Sequence, residues 1–239
     1  MINKKLTKIL TAAAFTNLCA TTVQAATWDI TVTNLTHGNH FTPLFLQTHD
    51  TNTQLFQTGQ AASSAIELMA ECGNNSELVT AAGSGNFVDN PAGGVLAPGS
   101  NTTTTINTAV TGETHLSVVA MILPTNDAFI GMNSQLIPTS AGTYTYYING
   151  YDAGTEANDE ILNAGGSCDS TTAGMPGAPG GDADSGASGA AGTDSNTNIH
   201  VHRGTLGEAT ASGSGISDLL NTIHRWQNPV AKIVVTVTP

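Results

Sequence analysis

Apolar and polar residues alternate along several short stretches of the chain, a period typical of β-strands with one buried face. The clearest case is residues 28–33, where Trp, Ile and Val alternate with Asp and Thr. Residues 115–123 are almost entirely apolar in their second half, which predicts a central strand covered on both faces. Four further strands are predicted at residues 42–48, 102–110, 142–149 and 230–237. The pattern therefore predicts an all-β fold, an antiparallel β-sandwich.

Two segments have helical rather than strand-like patterns. Residues 60–72 are rich in good helix formers and include two glutamates. Residues 217–226 place apolar side chains at helical spacing, and Ser217 is suited to cap the first turn. We expect both helices to be short and to cover the ends of the sandwich.

One long segment, residues 164–198, is dominated by Gly, Ala, Ser and Asp. It has too little apolar surface to fold alone. Because strand-like sequence resumes at Ile199, we predict a flexible loop inside one domain. Residues 26–239 are then a single β-sandwich domain, which suits their length.

The N-terminus has the three parts of a secretory signal peptide. Three lysines within the first eight residues precede an apolar stretch from Ile9 to about Ala20, and residues 23–25 form a small-x-small cleavage motif. We expect residues 1–25 to be removed and the mature chain to be secreted or periplasmic. The apolar stretch is too short for a permanent anchor, and no other apolar run is long enough to be a transmembrane segment.

The charge balance is strongly acidic. The chain has 6 basic and 18 acidic residues, a net charge of −12, and removal of residues 1–25 takes three lysines away and leaves −15. Such a surface repels phosphate backbones and anionic headgroups, so we expect no nucleic-acid partner. The same charge suits cation binding, although a solubilising surface or adaptation to salt also explains it.

Cys72 and Cys168 are the two cysteines of the mature chain. In an oxidising compartment they can form one structural disulfide across a long loop, which stabilises a fold by about 2–5 kcal/mol. A redox pair is the alternative, but the C-x-x-C spacing is absent. The sequence favours the structural disulfide without establishing it.

Acidic residues concentrate in two loops, residues 123–129 and 151–160, each just after a predicted strand. If these strand ends lie at the same edge, Asp127, Asp152 and Glu156 converge. Carboxylates that converge without a cation repel one another, and Ca²⁺ takes six to eight oxygen ligands in flexible geometry. The loops therefore suggest a Ca²⁺ site, although acidic loops are common and the sequence has no EF-hand pattern.

Other constellations give weaker signals. His200 and His202 lie on one face of a strand, which suits Zn²⁺ if a third ligand is present; packed, hydrogen-bonded histidines are the simpler explanation. A triad of Ser63, His49 and Asp50 lacks the G-x-S-x-G nucleophile turn.

A carboxylate pair for glycoside hydrolysis could come from Glu67, Glu71 or Glu113. With few aromatic residues, however, nothing in the sequence marks a substrate cleft. Trp28 and Trp226 fit the apolar phase of their segments, which favours core positions over sugar platforms.

Two motifs are specific when they occur together in this order: PTNDAF at residues 124–129 and YDAGTEANDE at residues 151–160. With them the chain resembles the spondin N-terminal domain family, found in extracellular matrix proteins such as F-spondin and mindin and in bacterial exported proteins. Further matching segments are residues 42–50, 55–63, 117–134, 145–160, 199–204 and 226–235.

The resemblance implies a β-sandwich similar to C2 domains, with a Ca²⁺ site at one end. The family's P-x-x-D and Y-D-A-G-T-D/E motifs place metal ligands at Asp127, Asp152 and Glu156, the last a Glu where animal members usually have Asp. It also implies an exported, non-enzymatic module for cell adhesion or for binding in the extracellular matrix or cell envelope.

The partner is expected to be an extracellular protein or polysaccharide and stays unidentified. Thrombospondin repeats are absent and the Gly-rich segment departs from the family pattern, so the ligand remains open. Two alternatives remain: a secreted metal-dependent hydrolase, and a structural envelope or biofilm component without a small ligand.

Overall fold

Short antiparallel strands dominate the computed structural model, which describes residues 26–108, 112–162, 174–177, 179, 195–209 and 217–238. Eleven strands and two helices form within these residues. The strands are β1 (Thr27–Asn34), β2 (His40–Phe41), β3 (Phe45–His49), β4 (Asn86–Asp89), β5 (Asn101–Asn107), β6 (His115–Leu123), β7 (Ala128–Leu136), β8 (Gly142–Ile148), β9 (Gly150–Asp152), β10 (His200–Val201) and β11 (Ala231–Thr238). The helices are α1 (Ser64–Cys72) and α2 (Ser76–Ala82).

The first sheet has four strands in the order β5-β1-β11-β8. Its inward side chains are mostly apolar, and in β1 they are Trp28, Ile30 and Val32, each opposite an apolar residue of β11. The outward positions are mostly threonines, whose β-branched side chains suit a solvated sheet face.

The second sheet has the order β10-β9-β7-β6-β3-β4, and β2 pairs with the end of β6. Alternate residues of β6 enter two different cores because side chains alternate between the faces of a strand. Ala120 and Ile122 pack with the first sheet, whereas Val119 and Met121 pack with the opposite layer. The prediction of a central strand covered on both faces is confirmed, with the predicted bounds.

Helix α1 supplies that opposite layer. The Ser63 side chain accepts a hydrogen bond from the Ile66 amide at 3.3 Å, and Gly73 ends the helix with a left-handed φ of 62°. Ile66, Met69 and Ala70 are buried in the core that α1 shares with Val119 and Met121. The helix therefore covers the outer face of the second sheet, not an end of the sandwich as the sequence analysis expected.

The all-β prediction is confirmed, since antiparallel sheets form a sandwich-like arrangement with two short helices. The prediction of a helix at residues 217–226 is wrong. Ser217 instead donates to Glu160 at 2.7 Å, Leu220 forms a bridge with Glu208, and a turn follows at residues 221–223. These tertiary hydrogen bonds replace the helical ones that a local pattern anticipates.

Strand β7 and helix α2 were not predicted. In β7 the residues from Ala128 to Met132 are all buried, so no alternation marks the strand. Helix α2 is seven residues long, and its sequence from Ser76 to Ala82 buries Leu78 alone. Short elements with such patterns give little periodic signal.

Several sequence predictions fall outside the described residues. They are the signal peptide at residues 1–25 and nearly all of the loop at residues 164–198. Cys72 is disulfide-bonded, and its partner also lies outside, as both Cys19 and Cys168 do. In the part of the chain that is described, no helix has the length and apolar character needed to cross a membrane.

Met69 tests the packing of α1 on the second sheet. Met69→Ala removes a fully buried side chain, so we expect the free energy of unfolding to fall by about 2–5 kcal/mol. Urea denaturation measures this loss. The exposed Thr145→Ala is the matched control and should change stability by less than about 0.5 kcal/mol. Equal, small losses in both variants would contradict the packing described.

Candidate functional site

The short connection between β6 and β7 places Asp127 at one edge of the second sheet, by which we mean the side where these central strands end. Thr125 holds this turn, because its hydroxyl donates to the Ile122 carbonyl at 2.5 Å and accepts from the Ala128 amide at 3.1 Å. Asp127 is the last residue before β7 and is fully buried. Since β6 and β7 are central strands, the position of its carboxylate is fixed by the core of the sheet.

Strand β9 brings the second acidic loop to the same edge. Its last residue, Asp152, lies opposite Ala128 of β7 and is 2% exposed. The chain then turns at Gly154, whose φ is +74° and whose added Cβ would stand 2.6 Å from the Thr197 carbonyl carbon. A glycine here is required by both conformation and space. The turn directs Glu156 back toward Asp127.

Asp127 has one satisfied and one unsatisfied oxygen. Its Oδ2 accepts from the amides of Thr155 at 2.8 Å and Glu156 at 3.2 Å. Its Oδ1 is buried and has no hydrogen-bond partner among the described residues. A buried carboxylate oxygen without a partner raises the free energy of the folded state. A cation or a hydrogen-bond donor next to this atom would remove that cost.

Asp152 is held by one donor at each oxygen. The Gly154 amide donates to Oδ1 at 2.8 Å, and the side-chain amide of Asn158 donates to Oδ2 at 2.7 Å. Each carboxylate oxygen has a further lone pair. Asp152 is therefore oriented by its own loop while retaining acceptor capacity.

Glu156 is 6% exposed and bonds to groups from two other segments. The Gly174 amide lies 3.1 Å from its Oε2, and the Asn126 side-chain amide lies 3.4 Å from the same atom. The structure thus places Asp152 and Glu156 each within electrostatic reach of Asp127, although no three such side chains among the described residues are grouped as a ready metal-binding set. Their role as metal ligands stays a prediction.

Glu71 is a fourth carboxylate that the sequence analysis did not assign to this site. It extends from the end of α1, is 7% exposed and bonds to the Thr155 side chain. It also acts electrostatically on Asp127 and Glu156. One feature of the sequence could have identified Glu71: it directly follows the apolar residues Met69 and Ala70, which places its charge at the border of a buried helix face.

Burial dominates the electrostatics of this carboxylate cluster, which we define as Glu71, Asp127, Asp152 and Glu156. Loss of hydration, with the nearby Asp152 charge, raises the pKa of Asp127 to about 7. Loss of hydration likewise raises the pKa of Glu156 to about 8 and raises the pKa of Glu71. Among the described residues no Lys or Arg pairs with the cluster, and two histidines lie within 4.0 Å of the Asp152 carboxylate.

His200 and His202 lie beside Asp152, with Nε2 atoms 3.6 Å and 4.0 Å from its Oδ2. The Gly204 amide donates to Nδ1 of His202, so the ring proton is on Nε2 and donates to Asn158. Burial lowers the pKa of His202 to about 4, which keeps the ring neutral. A protonated Nε2 has no lone pair for Zn²⁺, so this hydrogen bonding disfavours His202 as a zinc ligand.

The other catalytic constellations are not brought together. Ser63 caps α1, while His49 bonds to Ser117 and to the Asp50 carbonyl. Glu113 bonds to Thr48 and precedes β6, so the length of that strand separates it from the carboxylate cluster. Within the part of the chain that the structure describes, the geometry therefore leaves one candidate centre, at the edge where the acidic loops meet.

The four carboxylates of the cluster supply oxygen ligands, which suit a hard cation. The unpartnered Asp127 oxygen is the specific point of fit. Among the described residues, no three His, Cys, Asp or Glu side chains are already grouped as a metal-binding set. Carbonyl oxygens and water, which Ca²⁺ accepts as ligands, would have to complete its coordination.

Stability in metal-free buffer should fall as the pH rises from 6.5 to 8, above the range in which the buried His202 has the opposite effect. The folded pKa values of Asp127 and Glu156, about 7 and about 8, exceed the ordinary 3.8 and 4.5, so the folded state holds more protons across this range. Ionisation then destabilises it, by up to about 1.4 kcal/mol per pH unit for each group. Urea unfolding at each pH measures the slope.

The double variant Asp127→Asn, Glu156→Gln is the control for this pH dependence and should flatten it. Wild-type stability that stays constant or rises from pH 6.5 to pH 8 in metal-free buffer would contradict the electrostatic description.

Comparison with known proteins identifies the family. A family model described as Spondin_N matches residues 32–161, more than half of the chain. The match includes the whole carboxylate cluster and ends before His200 and His202. No curated protein matches the chain. Spondin N-terminal domains are typically extracellular and generally non-enzymatic. The chain belongs to the spondin N-terminal domain family.

Proposed function

We propose that this protein is an exported, non-enzymatic spondin-domain module that binds Ca²⁺ at the carboxylate cluster and acts in adhesion or binding outside the cytoplasm. The ligands are Asp127, Asp152 and Glu156, with Glu71 as a further candidate. Family membership supports the module type, and the N-terminal sequence supports export.

The buried Asp127 Oδ1 is the observation that supports the cation most directly. Water cannot reach this atom, and no described donor satisfies it. Glu71, Asp152 and Glu156 add negative charge around it, and the raised pKa values show that the cluster alone favours protonation. A bound divalent cation would satisfy the oxygen and compensate the charge together.

Ca²⁺ is favoured over other metals by the ligand types. The cluster offers carboxylates, with the Asn126 and Asn158 side-chain amides next to them. The loop from Ala153 to Asn158 has no regular structure, which suits the irregular geometry of Ca²⁺ better than the strict octahedron of Mg²⁺.

Binding of Ca²⁺ would order the loops at this edge of the second sheet. The carboxylate cluster joins α1, the β6–β7 turn and the loop after β9, so one ion would tie three segments together. Binding to the folded state stabilises it by mass action, by about 2.7 kcal/mol at a concentration one hundred times the Kd. A rigid loop surface is suited to recognition because little entropy is lost when a partner binds.

Asp127→Asn separates the two contributions of Asp127. In metal-free buffer at pH 8 we expect this variant to be more stable than the wild type, because it removes a buried negative charge that has hydrogen bonds at only one of its two oxygens. In millimolar Ca²⁺ the wild type should gain a Ca²⁺-selective rise in Tm, with Mg²⁺ much less effective, and the variant should lose it. Differential scanning calorimetry measures both effects.

The exposed Asp29→Asn is the matched control, since it removes the same charge from the outer face of the first sheet. It should retain the full response to Ca²⁺. A wild-type Tm that does not respond to Ca²⁺, or an equal response in Asp127→Asn, would refute the site.

Adhesion is tested with cells of the producing organism. Deletion of the gene should reduce their retention on surfaces or matrix polymers in Ca²⁺-containing medium. Wild-type protein should restore retention, and Asp127→Asn should not, because its loops lack the ion. Retention that is equal in both complemented strains would instead favour a structural envelope role without Ca²⁺.

A further inference from the structure

A chain of hydrogen bonds reaches Asp152 from a segment beyond the family-matched range. It begins at the Gly204 amide, which donates to Nδ1 of His202 at 2.9 Å. Nε2 of His202 lies 2.7 Å from Oδ1 of Asn158, and Nδ2 of Asn158 lies 2.7 Å from Oδ2 of Asp152. Four residues are thus linked by three short contacts.

The direction of each hydrogen bond follows from the first. A backbone N–H can only donate, so Nδ1 of His202 accepts and the neutral ring carries its proton on Nε2. That proton faces the Asn158 oxygen, which leaves the Asn158 amide group to donate to Asp152. The tautomer of His202 and the orientation of Asn158 are both determined by the backbone of Gly204.

The surroundings of His202 hold this arrangement rigidly. The residue is 4% exposed, and its ring packs against Trp226 with centroids 5.0 Å apart. Its amide donates to the Gly150 carbonyl at 3.0 Å, at the start of the strand that ends in Asp152. His200 differs, since its ring donates from Nδ1 to the Asn198 carbonyl and its side chain is 34% exposed.

We infer that His202 is a positioning residue for the cation site, acting through Asn158 to orient the carboxylate of Asp152. This inference rests on the proposed function. Fixed from both sides, by Gly154 and by Asn158, Asp152 presents its remaining lone pairs without a loss of side-chain freedom on binding. Groups that orient metal ligands in this way typically contribute 10–100-fold to metal affinity.

Isothermal titration of the mature protein with Ca²⁺ at pH 8 tests the inference. His202→Phe retains an aromatic ring beside Trp226 but cannot donate, and should weaken Ca²⁺ binding by about 10-fold or more. His202→Gln restores a donor at the position of Nε2 and should bind within about 3-fold of the wild type. A merely structural role for the ring would predict the reverse order of affinities.

Asn158→Ala should reproduce the loss, and the double variant with His202→Phe should be no weaker than the worse single variant, because both act on Asp152 by one route. Val201→Thr changes an exposed side chain next to His202; it is the matched control and should bind as the wild type does. Independent losses in the double variant, or unchanged binding by His202→Phe, would overturn the inference while leaving the Ca²⁺ site intact.

The ring tautomer gives a readout that does not depend on Ca²⁺. Long-range ¹H–¹⁵N NMR spectra of the metal-free protein should show His202 neutral with its proton on Nε2, and a proton on Nδ1 would refute the hydrogen-bond chain. If the wild type does not bind Ca²⁺ at all, the proposed function and the positioning role both fail, whereas the tautomer still reports on the geometry.

Discussion

The structure depends on one costly arrangement, a cluster of carboxylates buried at the edge of a sheet. Asp127 cannot turn toward water, because it follows β6 and precedes β7, and both strands are packed in the cores. The backbone amides of Thr155 and Glu156 satisfy one of its oxygens only. A protein tolerates such an arrangement when a ligand completes it or when protons neutralise it, and the raised pKa values correspond to the second state.

The two-core architecture makes this arrangement sustainable. Strand β6 contacts the first sheet on one face and α1 on the other. The burial of apolar side chains in these two cores offsets the free-energy cost of burying the carboxylates at the end of β6. The same helix contributes Glu71, so the layer that covers the second sheet also supplies a carboxylate. Cys72, directly after Glu71, is fixed by a disulfide, which limits movement of this end of the helix.

Much of this could be predicted where the signal is local. Alternation predicted β1 and β11, and an unbroken apolar run predicted β6. The acidic loops after predicted strands pointed to Asp127, Asp152 and Glu156, whose role as ligands stays a prediction. The sequence could not assign Glu71, Asn158 and His202 to the surroundings of Asp127 and Asp152, because their contacts there depend on how distant segments pack. The helix expected at residues 217–226 failed for the same reason, since Ser217 bonds to Glu160 rather than to its own turn.

The residues after the family-matched segment contribute both to the core and to the surroundings of the carboxylate cluster. Strand β11 lies between β1 and β8 and completes the core around Trp28, Ile30 and Val32. Strand β10 places His200 opposite Asp152, and the residues after it reach Asn158. A chain that ended at residue 161 would lack both the inner strand of the first sheet and His202, which hydrogen-bonds to Asn158. The matched range thus contains the carboxylates and most of their donors, whereas Gly174 and His202 add hydrogen bonds to Glu156 and Asn158 from outside it.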